Sequence, residues 1–275
     1  MTSRNDAGSA SFRSDSAVRK AGDEYHGLVH ADWGISGNAN GGYLMAIAAR
    51  AMANISRPHP VSLTAHFLSP CKAGPVSVRP QIVKQGRRFT TVRAQLVSDG
   101  RPVVELLGSF SDLSEVEGPV LIDAQPPELP PPGDCVRVAP SPSGFPPPMM
   151  SKIDLRLHPD DDAFARGRPS GRPLFRGWFR LPGEDVDALA LLLAADAFPP
   201  TVFNAHLPIA WTPTLELTAH LRGIPRPGWL RCRFSTRFIT GGMLEEDGDI
   251  WDESGRLVAQ SRQLALQPRA DPRGE

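Results

Sequence analysis

Asp196 is the residue whose setting most suggests chemistry. It stands at the far end of an apolar run, Ala-Leu-Ala-Leu-Leu-Leu-Ala-Ala, and is the first charge after Asp187. A carboxylate near a helix C-terminus opposes the helix dipole, so a plain solvated helix end is a slightly unfavourable setting for it. A general base, or an orienter of a water, needs a carboxylate held in just such a fixed place. A second stretch has the opposite polarity. Asn38-Ala39-Asn40-Gly41-Gly42-Tyr43 opens a run to Asn54 in which Arg50 is the one charge. Asn40 can cap the first turn, and the two glycines let a ligand or another backbone come close. A helix apolar on almost all sides is a buried helix. Lys84, Arg87 and Arg88 form a basic turn, either a solvated hairpin tip or an anion contact.

Other chemistries are excluded by their missing parts. The stretch Gly37-Asn38-Ala39-Asn40-Gly41-Gly42 lacks the Gly-Lys-Ser/Thr ending of a phosphate loop and the full dinucleotide spacing. There is no Gly-x-Ser-x-Gly elbow, no His-Glu-x-x-His and no cluster with metal-ligand spacing, so no metal site is expected. Net charge is zero and the pI is about 7.1, which gives no pull toward nucleic acid or an anionic membrane. No apolar run reaches the roughly 18 residues of a membrane span. Cys71, Cys135 and Cys232 are odd in number and far apart, which fits a reducing, cytoplasmic compartment.

The elements that must position these residues follow from periodicity. Tyr25 to Val29 reads as a short strand, followed by the buried helix. Val61, Leu63, Ala65 and Phe67 alternate with Ser62, Thr64 and His66, the pattern of a half-buried strand. Strands are expected over Val76–Lys84, Phe89–Val97 and Val103–Phe110, with Gln85-Gly86 and Asp99-Gly100 as hairpin turns. Prolines then cluster from 118 to 150, which predicts an extended surface linker. A second helix is predicted over Glu184–Phe198. The last strand runs from Leu257 to Leu266, with Gln263 on the face of Ala259, Ser261 and Ala265. The domain boundaries predicted are a mobile tail over 1–22, one unit over 23–115, a linker and irregular segment over 116–172, a second unit over 173–269 and a tail over 270–275.

The order of elements repeats. Leu217-Thr218-Ala219-His220 reproduces Leu63-Thr64-Ala65-His66 at a distance of 154 residues. Ala194-Ala195-Asp196-Ala197 parallels Ala48-Ala49-Arg50-Ala51 at 146, and Gly255 follows Gly100 at 155. A near-constant offset across elements in one order predicts an internal duplication. Each half then has one apolar helix and a mainly antiparallel sheet that can curl around it, and two such sheets can join edge to edge. His66 and His220 occupy equivalent places, which argues for a strand role rather than catalysis. Trp33, Trp211 and Trp251 read as core or as lining of a channel.

These stretches carry a resemblance. Asn40-Gly41-Gly42-Tyr43-Leu44, His59 to Leu68, Ala194-Ala195-Asp196, Thr212 to Thr218 and Gly255 to Gln263 together resemble the acyl-CoA thioesterase II (TesB-like) family, over about residues 24–114 and 173–268. The resemblance implies an α+β double hot-dog fold, two tandem β-α-β-β-β-β halves. It implies hydrolysis of an acyl-CoA to free CoA and a carboxylic acid, by a water held between an Asp, a Thr and a Gln. Carried across residue by residue, these are Asp196, Thr214 and Gln263. The glycine loop departs from the family's common pattern, ending Gly-Gly-Tyr where a polar Gln often follows, which bears on chain-length preference more than on the reaction.

With this fold, Gly41, Gly42 and Tyr43 are expected at the oxyanion or substrate side, where backbone N–H groups at a helix start can polarise the thioester carbonyl. Lys84, Arg87 and Arg88 become candidates for the CoA phosphates. Thr214 is expected on the polar face of its strand with Glu216, Thr218 and His220. The first-half counterparts of the trio are Arg50, about Pro60 and Gly108, so one active site per chain is implied. No cofactor is expected beyond the coenzyme A of the substrate. A role in fatty acid metabolism and a homo-oligomer, a dimer first, complete the expectation. The alternatives are a non-catalytic acyl-CoA-binding protein and, less favoured, a dehydratase or hydratase on the same fold.

Overall fold

The computed structural model describes residues 11–115, 117–142 and 145–268, so most of the expected tails, 1–10 and 270–275, lies outside the described residues. The first half contains α1 (Phe12–Asp15), β1 (Val18–Ala21), β2 (Glu24–Val29), β3 (Gly34–Ile35), β4 (Asn38–Ala39), α2 (Gly41–Asn54), β5 (His59–Phe67), β6 (Gly74–Gln85), β7 (Thr90–Ser98) and β8 (Arg101–Ser111). β9 (Val136–Arg137) and β10 (Asp154–Leu157) follow. The second half contains β11 (Leu174–Arg180), α3 (Ala190–Ala194), β12 (Thr214–Leu221), β13 (Leu230–Ser235), β14 (Ile239–Thr240), β15 (Met243–Trp251) and β16 (Leu257–Leu266).

Alternating apolar residues turn one face of each long strand inward, and that face wraps a helix. Asp99 and Gly100, both at positive φ (49° and 74°), make the tight turn from β7 to β8 whose twist suits a hairpin. Apart from the separate pair β3-β4, the strands form one antiparallel sheet in the order β1-β2-β6-β7-β8-β5-β12-β16-β15-β13-β11-β10-β9, with β14 on β15. The halves join where β5 pairs with β12. There Thr64 lies opposite Thr218, its own counterpart in the duplication, and the two hydroxyls are 2.8 Å apart. The repeat axis therefore passes through this pair.

The two helices differ more than their sequences suggest. α2 has 14 residues and is buried on nearly every side, from Gly42 to Met52. α3 keeps only five helical residues, which corrects the expected helix over Glu184–Phe198. Asp187 accepts from the Ala190 N–H at 2.8 Å, which ties 187–190 into a turn, and residues 184–189 stay outside the helix. Pro199 and Pro200 bar any continuation. The helices cross where a Cβ on Gly42 would stand 2.3 Å from the Leu192 carbonyl oxygen, so only glycine fits there.

Two further expectations are corrected. Residues 11–21 are not a mobile tail. Phe12 is 1% exposed and meets Trp33 edge-on at 5.4 Å between ring centroids, and β1 pairs with β2. Nor is the whole proline-rich segment a surface linker. Residues 117–131 are largely exposed coil, but β9 and β10 extend the sheet beyond β11, and Met149 and Met150 are buried in the core.

Candidate active site

A cavity of about 680 Å³ opens where α2 begins and α3 ends. Asn40, Gly41, Asp196, Thr214, Glu246 and Gln263 are its polar corner, and Leu44, Phe67, Phe145, Met150, Phe164 and Phe203 are part of its apolar wall. The structure thus brings the three residues Asp196, Thr214 and Gln263 to one cavity.

Asp196 is held by the start of the other half's helix. Its Oδ2 accepts from the Gly42 N–H at 2.9 Å and from Asn40 Nδ2 at 2.8 Å. Asn40 Nδ2 also donates to the Asp196 carbonyl at 2.7 Å, while Asn40 Oδ1 caps α2 by accepting from the Tyr43 N–H at 2.9 Å. One asparagine therefore caps the helix and grips the carboxylate. Burial pushes the Asp196 carboxyl up to about 6, against the Gly42 and Gly41 N–H groups and the Asn40 amide, which all favour the charged form.

Thr214 reaches the cavity through a β-bulge. It pairs with Ala265, but Glu216 pairs with Leu264 and Leu217 with Gln263, so Leu215 is the extra residue. The bulge turns Thr214 to the inner face with Gln263, which corrects its expected place beside Glu216, Thr218 and His220. Thr214 Oγ1 then donates to Gln263 Oε1 at 3.3 Å. Gln263 Nε2 in turn donates to Glu246 Oε1 at 3.2 Å.

Glu246 escaped the sequence reading. It is 5% exposed, and its Oε2 accepts from the Thr201 N–H at 2.7 Å. Burial, with the charge of Asp196 adding to it, pushes its carboxyl up to about 7. The signal was present in the sequence: Leu244, Glu246, Gly248 and Ile250 alternate on the buried face of β15, and a lone Glu among them is out of place.

Two groups do not take the places expected for them. The Gly42 and Tyr43 N–H groups are spent on Asp196 and Asn40, so the helix start holds the acid rather than a carbonyl. Gly41 lines the cavity, but Tyr43 is buried away from it, its hydroxyl donating to the Asp15 carbonyl at 2.6 Å. Lys84, Arg87 and Arg88 do not line the cavity. Their turn packs on Arg57, just past the C-terminal end of α2, where Arg57 donates to the Arg87 carbonyl at 2.6 Å. The site lies at the other end of that helix. The cation that does line the cavity, among the described residues, is Arg137 on β9.

Comparison with known proteins agrees with this arrangement. Residues 29–111 match the acyl-CoA thioesterase N-terminal domain and residues 130–267 the acyl-CoA thioesterase C-terminal domain. A Thermobifida fusca protein, provisionally called a thioesterase II, is 35% identical and superposes with a TM-score of 0.83 over 94% of this chain and 97% of its own. A hot-dog-fold protein of Alicyclobacillus acidocaldarius, function unknown, superposes at 0.82 with 24% identity, over 94% of this chain and 98% of its own. An uncharacterised protein of Mycobacterium tuberculosis is 29% identical over 89% of this chain and 91% of its own length. A half-buried acid gripped by the opposite helix start, on a duplicated sheet that matches both domains in order, leaves one assignment: the chain belongs to the TesB-like acyl-CoA thioesterase family, with the double hot-dog fold, and is a thioester hydrolase.

Proposed function

We propose that the chain hydrolyses acyl-CoA with a water held by Asp196, Thr214 and Gln263. The observation that carries this is the polar corner of the cavity, where a half-buried carboxylate held at Oδ2 lines the same cavity as a hydrogen-bonded Thr–Gln pair. Asp196 Oδ1 takes a proton from the water as its oxygen attacks the thioester carbonyl. The Thr214 hydroxyl donates to Gln263, so its lone pairs accept the water's other hydrogen. The second N–H of the Gln263 amide, not needed by Glu246, is the donor for the developing oxyanion. Collapse of the tetrahedral species breaks the C–S bond, and the proton on Asp196 passes to the leaving thiolate. The products are CoA thiol and a carboxylic acid. No metal or redox group enters these steps.

The apolar wall takes the acyl chain, and Arg137 is the cation placed to meet the phosphates of CoA, in place of the basic turn at 84–88. Among the described residues no histidine lines the cavity, which disfavours the Asp–His chemistry of a dehydratase. Cys71, Cys135 and Cys232 are all buried and unpaired, which supports the cytoplasmic reading.

The test is release of free thiol from acyl-CoAs of graded chain length, followed with a thiol reagent. Turnover with at least one chain length is expected. Saturable binding without thiol release at any length would overturn hydrolysis in favour of a binding protein.

A further inference from the structure

The water-holding trio leaves Glu246, a buried carboxylate at the cavity, without a task. Glu246 stands on β15 directly opposite Gln263 on β16. The corresponding pair in the first half is Val92 opposite Gly108. The fold is therefore satisfied by valine at this place, and a carboxylate withdrawn from water there costs free energy unless it is well paired. Glu246 is paired on both oxygens, by Gln263 Nε2 at 3.2 Å and by the Thr201 N–H at 2.7 Å.

We propose that Glu246 is a positioning residue for hydrolysis, fixing the orientation of the Gln263 amide and through it the direction of the Thr214 hydroxyl. The inference rests on the hydrolytic reading above. An amide side chain has two nearly isosteric orientations, and its surroundings decide between them. In its ionised form, which prevails above about pH 7, the Glu246 carboxylate only accepts, so it then faces only the NH₂ end of Gln263. The oxygen end is thereby turned to Thr214, and the threonine must donate to it, as it does at 3.3 Å. That leaves the threonine oxygen free to accept from the water and the second amide hydrogen free for the substrate oxygen. With a neutral amide in place of Glu246, either orientation of Gln263 finds a partner, and the water loses its fixed acceptor.

The experiment measures thiol release for wild type, Glu246→Gln, Gln263→Ala and the double variant, with Glu246→Val as a further variant that installs the first half's residue. Glu246→Gln should lower kcat on the order of tenfold or more, because small misplacements of a reacting group are costly, with KM within about twofold. Gln263→Ala should lower it by a similar factor, and adding Glu246→Gln to Gln263→Ala should cost nothing more, since the residue acts only through Gln263. Glu246→Val strands the buried Thr201 N–H, so it should melt lower than wild type, and the folded variant should show the same loss of kcat. Wild-type kcat in Glu246→Gln or Glu246→Val would overturn the inference, as would an undiminished penalty in the Gln263→Ala background. A wild type that releases no thiol would remove the hydrolytic reading and this inference with it. An active wild type beside an unaffected Glu246→Gln removes this inference alone.

Discussion

The duplication builds two cradles, and only one of them lines the large cavity. In each, the end of one half's helix meets the start of the other's. In the first cradle Asp196 meets Asn40 and Gly42, and an acid faces amide donors. In the second, Arg50 stands at the position of Asp196, and its guanidinium lies 3.6 Å from Asp187, which accepts from the Ala190 N–H where α3 begins. The charges are exchanged: the acid is at a helix end in one and at a helix start in the other. Pro60 replaces Thr214, Gly108 replaces Gln263 and Val92 replaces Glu246, so no polar corner forms. The second cradle is also partly filled, leaving only a shallow depression lined by Arg13, Arg50 and Leu189. Phe12 lies beneath Arg50 at 5.9 Å, Ser16 accepts from Arg50 Nε at 2.8 Å, and Glu184 accepts from the Phe12 N–H. The difference shows that the fold supplies a helix-to-helix cradle twice, with opposite charge at the two helix ends; on the proposed hydrolysis, that side chain decides which cradle can hold a water.

The comparison breaks most sharply at its two helix ends. Asp196→Asn should reduce kcat by about 10²–10⁴-fold, the range for loss of a general base, with KM little changed. Arg50→Met should leave kcat within about twofold, because an idle cradle contributes nothing to turnover. Thiol-release kinetics on both variants check this. Equal losses in the two would mean that the cradles are not functionally distinct.

The plug over the second cradle is a matter of stability. Phe12→Ala should cost about 3 kcal/mol, the low end for a buried Phe, because the ring packs on Trp33 and Tyr43. Denaturant unfolding measures it, and kcat of the folded variant should match wild type. A stable variant with impaired turnover would show that the α1 segment serves the active cradle instead.

Much of this asymmetry was visible in the sequence, and the rest was not for definite reasons. The apolar run to Asn54 announced a buried helix, and the repeat at 154 residues announced the pairing that the structure realises at Thr64 and Thr218. Exchange of Asp196 for Arg50 could be read directly. The bulge at Leu215 could not, because one extra residue leaves no trace in an alternating pattern yet reverses the face of Thr214. Glu246 needed the cross-strand register to be seen beside Gln263. The docking of residues 11–21 depended on a single Phe in a polar stretch, too weak a signal to separate from a tail. Helix α3 was overread because alanine and leucine favour a helix that the Asp187 turn and Pro199-Pro200 cut short.

The contact between the cradles can be sharpened at Gly42. A methyl there would meet the Leu192 carbonyl at 2.3 Å and the Asp196 Cβ at 3.0 Å. Gly42→Ala should destabilise by about 2 kcal/mol, as overpacking does, and should lower kcat by displacing Asp196. Gly37→Ala is the control for a glycine whose Cβ has open space. It tests the cost of positive φ (78°) without a clash, and should cost about 1 kcal/mol and leave kcat unchanged. Unfolding curves and kinetics on both separate packing from backbone strain.

The smallest effect concerns what the active cradle costs the fold. The Asp196 carboxyl sits at about 6 in the folded chain, above its ordinary 3.8, so the folded state holds this proton more tightly than the unfolded state does. Its contribution to stability is complete below about 3.8 and is lost as pH rises through about 6. The ionised form needed for attack is thus the form the fold tolerates less, and activity should rise with pH through about the same value. Asp196→Asn removes the titration, so the variant should gain on wild type as pH rises through this interval. Full burial would make the gain about 3 kcal/mol, but the carboxylate is open to the cavity, and about 1 kcal/mol is expected. For a chain of this size that is a difference of about 2–4 °C in Tm. Melting curves for both proteins across the interval measure it, with Arg50→Met run alongside to show no such gain over that range, since an arginine does not titrate there. A constant gap between Asp196→Asn and wild type would mean that the helix start of α2 offsets the burial of Asp196 in full. The active cradle would then cost the fold no more than the idle one, and the low tolerance for a charged acid would not be what separates them.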